Sequence, residues 1–176
     1  MAGNAQQVLP GKQEFVARFG ALYENSPWIA EKVWDSLSTE MTEWRLVEFK
    51  ELDQRFHRVL QNASYLQQLD LLRAHPELAC AEADKDSLTL ESQNEQSRAG
   101  LDECTAQELE AFGRLNRAYG EKFGFPFILA VKGYHRKEIL EIFRQRAAND
   151  SQEEFTEALR QVCRIGSLRL EALLNE

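Results

Sequence analysis

Three stretches of this sequence carry side chains whose types and spacing could do proton chemistry. The first is R-A-H-P-E-L-A, Arg73 to Ala79, which sets His75 directly before Pro76. An imidazole with an unperturbed pKa near ~6.5 can both give and take a proton at neutral pH. The proline after it restricts the backbone that carries it, which suits a preorganised acid or base. The plainer explanation is a histidine just past a helix end, bonding the last carbonyls. The second stretch is Ser92-Gln93-Asn94-Glu95-Gln96. S-x-x-E is a capping-box pattern, so Ser92 and Glu95 read as a helix start. Free N–H groups at such a start can also receive polar ligand atoms, with Glu95 adding an acceptor and Gln96 an amide that donates and accepts. A cap can be shared with a ligand, so the two readings are compatible. From the residues of these two stretches alone, the structural reading is the simpler one.

The third is Arg169. At about 100° per residue, Phe155, Ala158, Leu159, Val162, Gly166 and Leu173 share one face of a terminal helix. Arg169 lies within that stripe, while Glu154, Glu157, Arg160, Arg164 and Glu171 fall on the other side. A guanidinium on a core-facing stripe needs a partner, because an unpaired buried charge is very unfavourable, and a bidentate carboxylate is its natural mate. The alternative is a side chain that snorkels out from the helix end, near carbonyls that favour a cation.

Other chemistries are excluded or unsupported. His75-Pro76-Glu77 matches the H-x-E half of a zinc deaminase signature, but the P-C-x-x-C half is missing and Cys80, Cys104 and Cys163 cannot supply it. There is no Walker loop and no G-x-G-x-x-G, so nucleotide cofactors have no support. His57 falls off the main apolar stripe of its helix and reads as solvent-facing. The net charge of −8 argues against nucleic acid, but not against a small anionic substrate. Three scattered cysteines suit reduced thiols. The chain has no apolar run long enough to span a membrane, no signal-peptide pattern at its start and no peroxisomal tripeptide at Leu173-Leu174-Asn175-Glu176. A cytoplasmic protein is the expectation.

The elements that must position these residues read as helices throughout. Residues 1–11 form an arm and 12–176 a single domain. Phe15, Val16, Phe19 and Leu22 mark a first helix; Ser26-Pro27 starts a second; Thr42 to Leu60, with its apolar stripe from Leu46, gives a third. Leu66, Leu69 and Leu72 are the inward face of a fourth, which must end near His75. Ala81 to Leu90 is a polar, acidic loop. Thr105 and Glu108 open another helix with a capping box, and Leu109, Phe112, Leu115 and Tyr119 are its buried stripe. Phe125 to Val131 is too apolar to lie on the surface. Ile139, Leu140, Ile142 and Phe143 mark a short helix, and Ser151 with Glu154 caps the last. With no alternating strand segment, the fold is all-α, a compact bundle of seven or eight helices.

A-H-P-E-L-A (Ala74 to Ala79), S-Q-N-E-Q-S-R-A-G (Ser92 to Gly100) and F-G-F-P-F-I-L-A-V-K-G (Phe123 to Gly133), in this order, closely resemble the 2-oxo-4-hydroxy-4-carboxy-5-ureidoimidazoline decarboxylases of urate breakdown. The likeness extends from the first helix to Arg169-Leu170. It implies an all-α homodimer that uses no metal or organic cofactor and turns a small-molecule ureide into (S)-allantoin and carbon dioxide. It implies functional coupling to the preceding hydroxyisourate hydrolase, and neither nucleic acid nor membrane as partner. By motif, the catalytic histidine maps to His75, its partner glutamate to Glu95 and the carboxylate-handling arginine to Arg169. Ligand contacts map to Pro76, to Ser92, Gln93, Asn94, Glu95 and Gln96, and to Phe127, Ile128, Leu129, Ala130 and Val131. A non-catalytic helical interaction domain, or a cofactor-free isomerase or hydrolase of a related ureide, are the competing readings.

Overall fold

The structure is a computed structural model that describes residues 11–40, 49–79 and 89–175, the side chains of 38–40 excepted. Residues 1–10 of the expected arm, the start of the expected third helix and most of the expected acidic loop lie outside those residues. Among the described residues the chain is all-α. It runs α1 (Lys12–Phe19), α2 (Trp28–Glu40), α3 (Phe49–Gln61), α4 (Tyr65–Arg73), α5 (Leu90–Arg98), a 3-10 turn (Leu101–Glu103), α6 (Ala106–Phe123), α7 (Arg136–Ala147) and α8 (Ser151–Leu174). Two units divide it: residues up to Leu71 with Cys163 onward, and Leu72–Val162.

The first unit is built on aromatic packing. Leu52, Phe56 and Leu60 recur every four residues, so α3 presents one buried face. Phe56 stacks on Phe15 with centroids 6.5 Å apart and lies 6.0 Å from the Tyr23 ring. Burying a ring of this size contributes ~1.5–3 kcal/mol. On α8, a Cβ at Gly166 would collide with the Tyr23 ring, so only glycine allows this close approach. His57 is half-buried and not solvent-facing: its Nε2 lies 3.0 Å from Ser167 Oγ, which donates to Asp53 Oδ1 at 2.6 Å. Burial, then the nearby Asp53 charge, pushes the Cys163 thiol up to about 11.

In the second unit, α6 starts where expected. Thr105 Oγ1 accepts from the Glu108 N–H at 3.2 Å and Glu108 Oε2 accepts from the Thr105 N–H at 2.9 Å, and that backbone bond leads in holding the Glu108 carboxyl below its usual range. The helix ends at Gly124, whose φ of 77° places it in the left-handed region, its N–H bonded to Gly120 O. Pro126 pushes Phe125 out of the α region, and the apolar run through Val131 crosses the core without helical structure. The Phe127 ring stacks on Phe143 at 3.9 Å, and Tyr119 meets Phe125, Phe127 and Phe143 edge-on.

Several expected faces are different. Leu72 is buried as expected, but Leu66 is 68% exposed and α4 buries Leu71 in addition. Leu109 is also exposed, and the buried column of α6 is Phe112, Asn116 and Tyr119, with Asn116 taking the inward place expected of Leu115. Two caps move as well. Thr89, not Ser92, caps α5, its side chain accepting from the Ser92 N–H, so the last residues of the expected acidic loop start a helix. Asp150, not Ser151, accepts from the Glu153 N–H at the start of α8, and Glu154 is fully buried.

Candidate active site

Within the second unit, His75 sits where α4 must stop. Its N–H bonds to Leu72 O at 3.2 Å in a tightened last turn, Pro76 follows, and the residue is 8% exposed. The turn continues to Ala79, whose φ of 49° is left-handed. For a residue with a Cβ this conformation costs roughly 1–2 kcal/mol, so the surroundings must hold it. They do so through side-chain amides. Gln96 Oε1 accepts from the Ala79 N–H at 3.0 Å, and Gln96 Nε2 donates to Glu77 O at 3.2 Å. Asn116 Nδ2 donates to Leu78 O at 3.0 Å. From the other side, Arg73 Nε donates to Gly124 O at 3.0 Å. The three motifs singled out in the sequence are thereby stitched together: the His75 turn to α5 by Gln96, and to the start of the Phe125–Val131 segment by Arg73.

On α5 the candidates divide by face. Ser92, Glu95 and Gln96 lie three and four residues apart on one side, where Ser92 and Gln96 are buried and Glu95 is half-buried. Gln93 and Asn94 are exposed. Gln96 spends both ends of its amide on the His75 turn, a structural use that its sequence context did not reveal.

The Phe127–Val131 segment is fixed by a buried polar cluster absent from the sequence reading. Arg146 Nη1 donates to Ile128 O at 2.7 Å, and its guanidinium lies 4.6 Å from the Phe127 ring centre. Glu154 binds the same guanidinium, with Arg146 Nε 2.9 Å from its Oε1. The Tyr119 hydroxyl donates to that oxygen as well, and Asn149 Nδ2 donates to Oε2 at 2.8 Å. Burial, and then its bond to Glu154, raise the Tyr119 pKa. Further along, Gln161 Oε1 accepts the Ala130 N–H at 3.0 Å, and Val131 O accepts from the Tyr134 N–H. The signal for Arg146 was present: it stands three and seven residues after Phe143 and Ile139, on the same core stripe, and the reasoning applied to Arg169 would have found it.

Arg169 belongs to the first unit. It is 8% exposed, and its Nη1 donates to Glu24 Oε1 at 3.1 Å and to Leu22 O at 3.4 Å. The buried carboxylate mate exists, and the snorkelling alternative falls. Glu24 itself is 3% exposed and was not among the candidates. An open hollow at the start of α8, lined by Asn149, Asp150 and Glu153 among others, holds none of the candidates. Its acidic lining does not suit an anionic substrate. Among the described residues no three His, Cys, Asp or Glu side chains gather as metal ligands would, and no helix is long and apolar enough to cross a membrane.

Comparison with known proteins gives a consistent result. The family profile described as OHCU decarboxylase matches residues 10–171. A 2-oxo-4-hydroxy-4-carboxy-5-ureidoimidazoline decarboxylase of Halalkalicoccus jeotgali is 40% identical over 162 residues, covering 92% of this chain and 86% of its own. A uric acid degradation bifunctional protein of a Bacillus species is 34% identical over 163 residues, 93% of this chain but 30% of its own length. The crystal structure of an (S)-allantoin synthase superposes with a TM-score of 0.73 at 28% identity, over 93% of this chain; the chain spans 51% of that one.

Proposed function

Because the chain belongs to the OHCU decarboxylase family, we propose that it is a carboxy-lyase that converts 2-oxo-4-hydroxy-4-carboxy-5-ureidoimidazoline to (S)-allantoin in urate degradation, with His75 and Glu95 as its acid–base pair. The observation that carries the assignment of residues is the bonding of the His75 turn to α5 through Gln96, next to Glu95 in sequence.

The substrate explains why no pyridoxal or thiamin electron sink is needed. The carbon that loses carbon dioxide bears a hydroxyl and adjoins a C=N carbon. As the carboxylate bond breaks, its electron pair forms a C=C bond and the C=N pair moves to nitrogen, which takes a proton. The hydroxyl then gives up its proton to become the carbonyl, and a proton is delivered to the neighbouring carbon. Net, one proton replaces carbon dioxide. What remains for the protein is orientation, proton handling and choice of face. His75, aided by Glu95, takes the hydroxyl proton and delivers one to a single face. Arg169, oriented by Glu24, handles the anionic end of the substrate. Pro76 shapes the wall beside His75, and the polar atoms of Ser92, Gln93, Asn94 and Gln96 meet the ureido and ring amides. Backbone groups of Phe127, Ile128, Leu129, Ala130 and Val131 complete the set. The Ala130 N–H is already spent on Gln161, so ligand contacts from that residue fall to its carbonyl.

The wider reading is a single domain over residues 12–176, working as a cytoplasmic homodimer without a cofactor. The name of the Bacillus relative, a bifunctional protein of uric acid degradation, supports coupling to another enzyme of that degradation, and the preceding hydroxyisourate hydrolase is the partner we propose. The deciding experiment is His75→Ala assayed by optical rotation on freshly made substrate. Spontaneous decay yields racemic product, so the variant should show no enzymatic excess of (S)-allantoin while keeping its far-ultraviolet circular dichroism. Undiminished chiral product would remove His75 from the mechanism.

A further inference from the structure

The buried column of α6 carries an amide where its neighbours one turn away are aromatic. Asn116 stands between Phe112 and Tyr119 and is 5% exposed. Its Nδ2 donates to Leu78 O at 3.0 Å, and its Oδ1 has no hydrogen-bond partner. Turning the amide over would set Oδ1 against the Leu78 carbonyl, so the donor must face Leu78. A leucine would fill this column with no orphaned acceptor, yet the position holds a side chain whose one bond reaches the turn after His75. Among the described residues of this unit, that turn is where a residue with a Cβ is held at positive φ, at Ala79. Backbone held in such a conformation persists only where its surroundings over-determine it. Here the carbonyls of Glu77 and Leu78 and the N–H of Ala79 are taken in succession by Gln96, Asn116 and Gln96 again.

We infer that Asn116 is a positioning residue for His75: with Gln96 it locks the Glu77–Ala79 backbone and thereby sets where the imidazole stands. The inference rests on the reading of His75 as the acid–base group. Asn116 touches no reacting atom and acts only through the turn. Removing its donor leaves Leu78 O unpaired, frees the strained backbone to relax and lets the imidazole drift from its productive placement. A misplacement of about 1 Å is worth up to about 100-fold in rate.

The test is Asn116→Leu, close in size and without a donor, with Asn116→Ala as a second variant should the larger side chain not fold. The expected result is a kcat lowered about tenfold to 100-fold with KM changed less than threefold, the far-ultraviolet circular dichroism retained, and faster hydrogen exchange of the Ala79 amide. Adding Ala79→Gly to Asn116→Leu should recover part of the kcat, because glycine adopts the positive φ without the Cβ penalty and the turn then needs less holding. Wild-type kcat in folded Asn116 variants, or unchanged Ala79 exchange, overturns the inference. His75→Ala run beside them separates the two failures. If His75→Ala is inactive and the Asn116 variants are fully active, only the positioning role is lost. If His75→Ala keeps its chiral product, the acid–base reading falls and the role assigned to Asn116 falls with it.

Discussion

Two arginines occupy core positions of their helices, one in each unit, each with a buried carboxylate partner, and we assign them different uses. Arg146 on α7 is enclosed by groups that answer it: Glu154 at Nε and Nη2, Ile128 O at Nη1 and the Phe127 ring within cation–π reach. Its carboxylate partner is itself held by Tyr119 and Asn149. That charge is committed to holding the Phe127–Val131 backbone and has no mobility to offer a substrate. Arg169 on α8 meets Glu24 and Leu22 O through Nη1, and it is the one we assign to the substrate's carboxylate. The same signature in sequence, a guanidinium on an apolar stripe, therefore marks a backbone clamp in one unit and a proposed ligand group in the other. What distinguishes them is the set of partners, which is not local in the chain.

The comparison can be broken by substitution. The largest effect is expected at the clamp. Arg146→Leu leaves Glu154 buried without its countercharge, which costs about 3–5 kcal/mol and should lower Tm by roughly 10 °C, read by thermal denaturation. Stability unchanged within error would mean the pair is not what holds the segment. Arg169→Lys comes next and should act first on catalysis. Lysine keeps the charge but loses the planar fork, so kcat/KM should fall about tenfold or more, equivalent to about 1.4 kcal/mol per decade, with a smaller Tm change than at Arg146. If activity holds while Tm drops, Arg169 is a second clamp and the contrast disappears.

The smallest effect concerns the part of α8 that belongs with Arg169. With its pKa pushed up to about 11, the Cys163 thiol has a folded value above its unfolded one, so its contribution to stability is complete below the ordinary thiol range and is lost as pH rises toward 11. At pH 8 only about one thiol in a thousand is ionised, so alkylation of Cys163 should be far slower than that of a free thiol and should accelerate about tenfold per pH unit. Mass-spectrometric labelling between pH 8 and 10 reads this directly. Labelling at the rate of an ordinary thiol would show that this part of the unit opens readily.

How far each feature could be read in advance follows its range along the chain. The Thr105–Glu108 capping box involves groups three residues apart and was legible, as was the end of α4 before Pro76 and the burial of the Phe125–Val131 run. The carboxylate partner required by Arg169 was legible as a requirement, but not as Glu24, which is 145 residues away. Glu154 was assigned to the outer face because it stands at the edge of α8's apolar stripe. The structure widens that stripe to take in Glu154, Gln161 and Ile165, since Arg146 offers a buried charge to meet. Helical spacing places Leu66 and Leu109 on inward stripes, but periodicity cannot tell which of two apolar columns meets a neighbour.

By itself, then, the sequence determined the all-α class, the helix ends written in caps, prolines and glycines, and the three motifs on which the family resemblance rests. These depend on backbone propensity and on contacts within a turn or so, which any copy of the same local sequence would make. Only the tertiary structure decided that Gln96 and Asn116 serve the His75 turn, that Arg146 serves the Phe127–Val131 backbone, and that Glu24 answers Arg169. Buried polar atoms must find partners wherever folding brings them, because leaving one unpaired costs about 1–3 kcal/mol. The identity of those partners is a property of the packed chain.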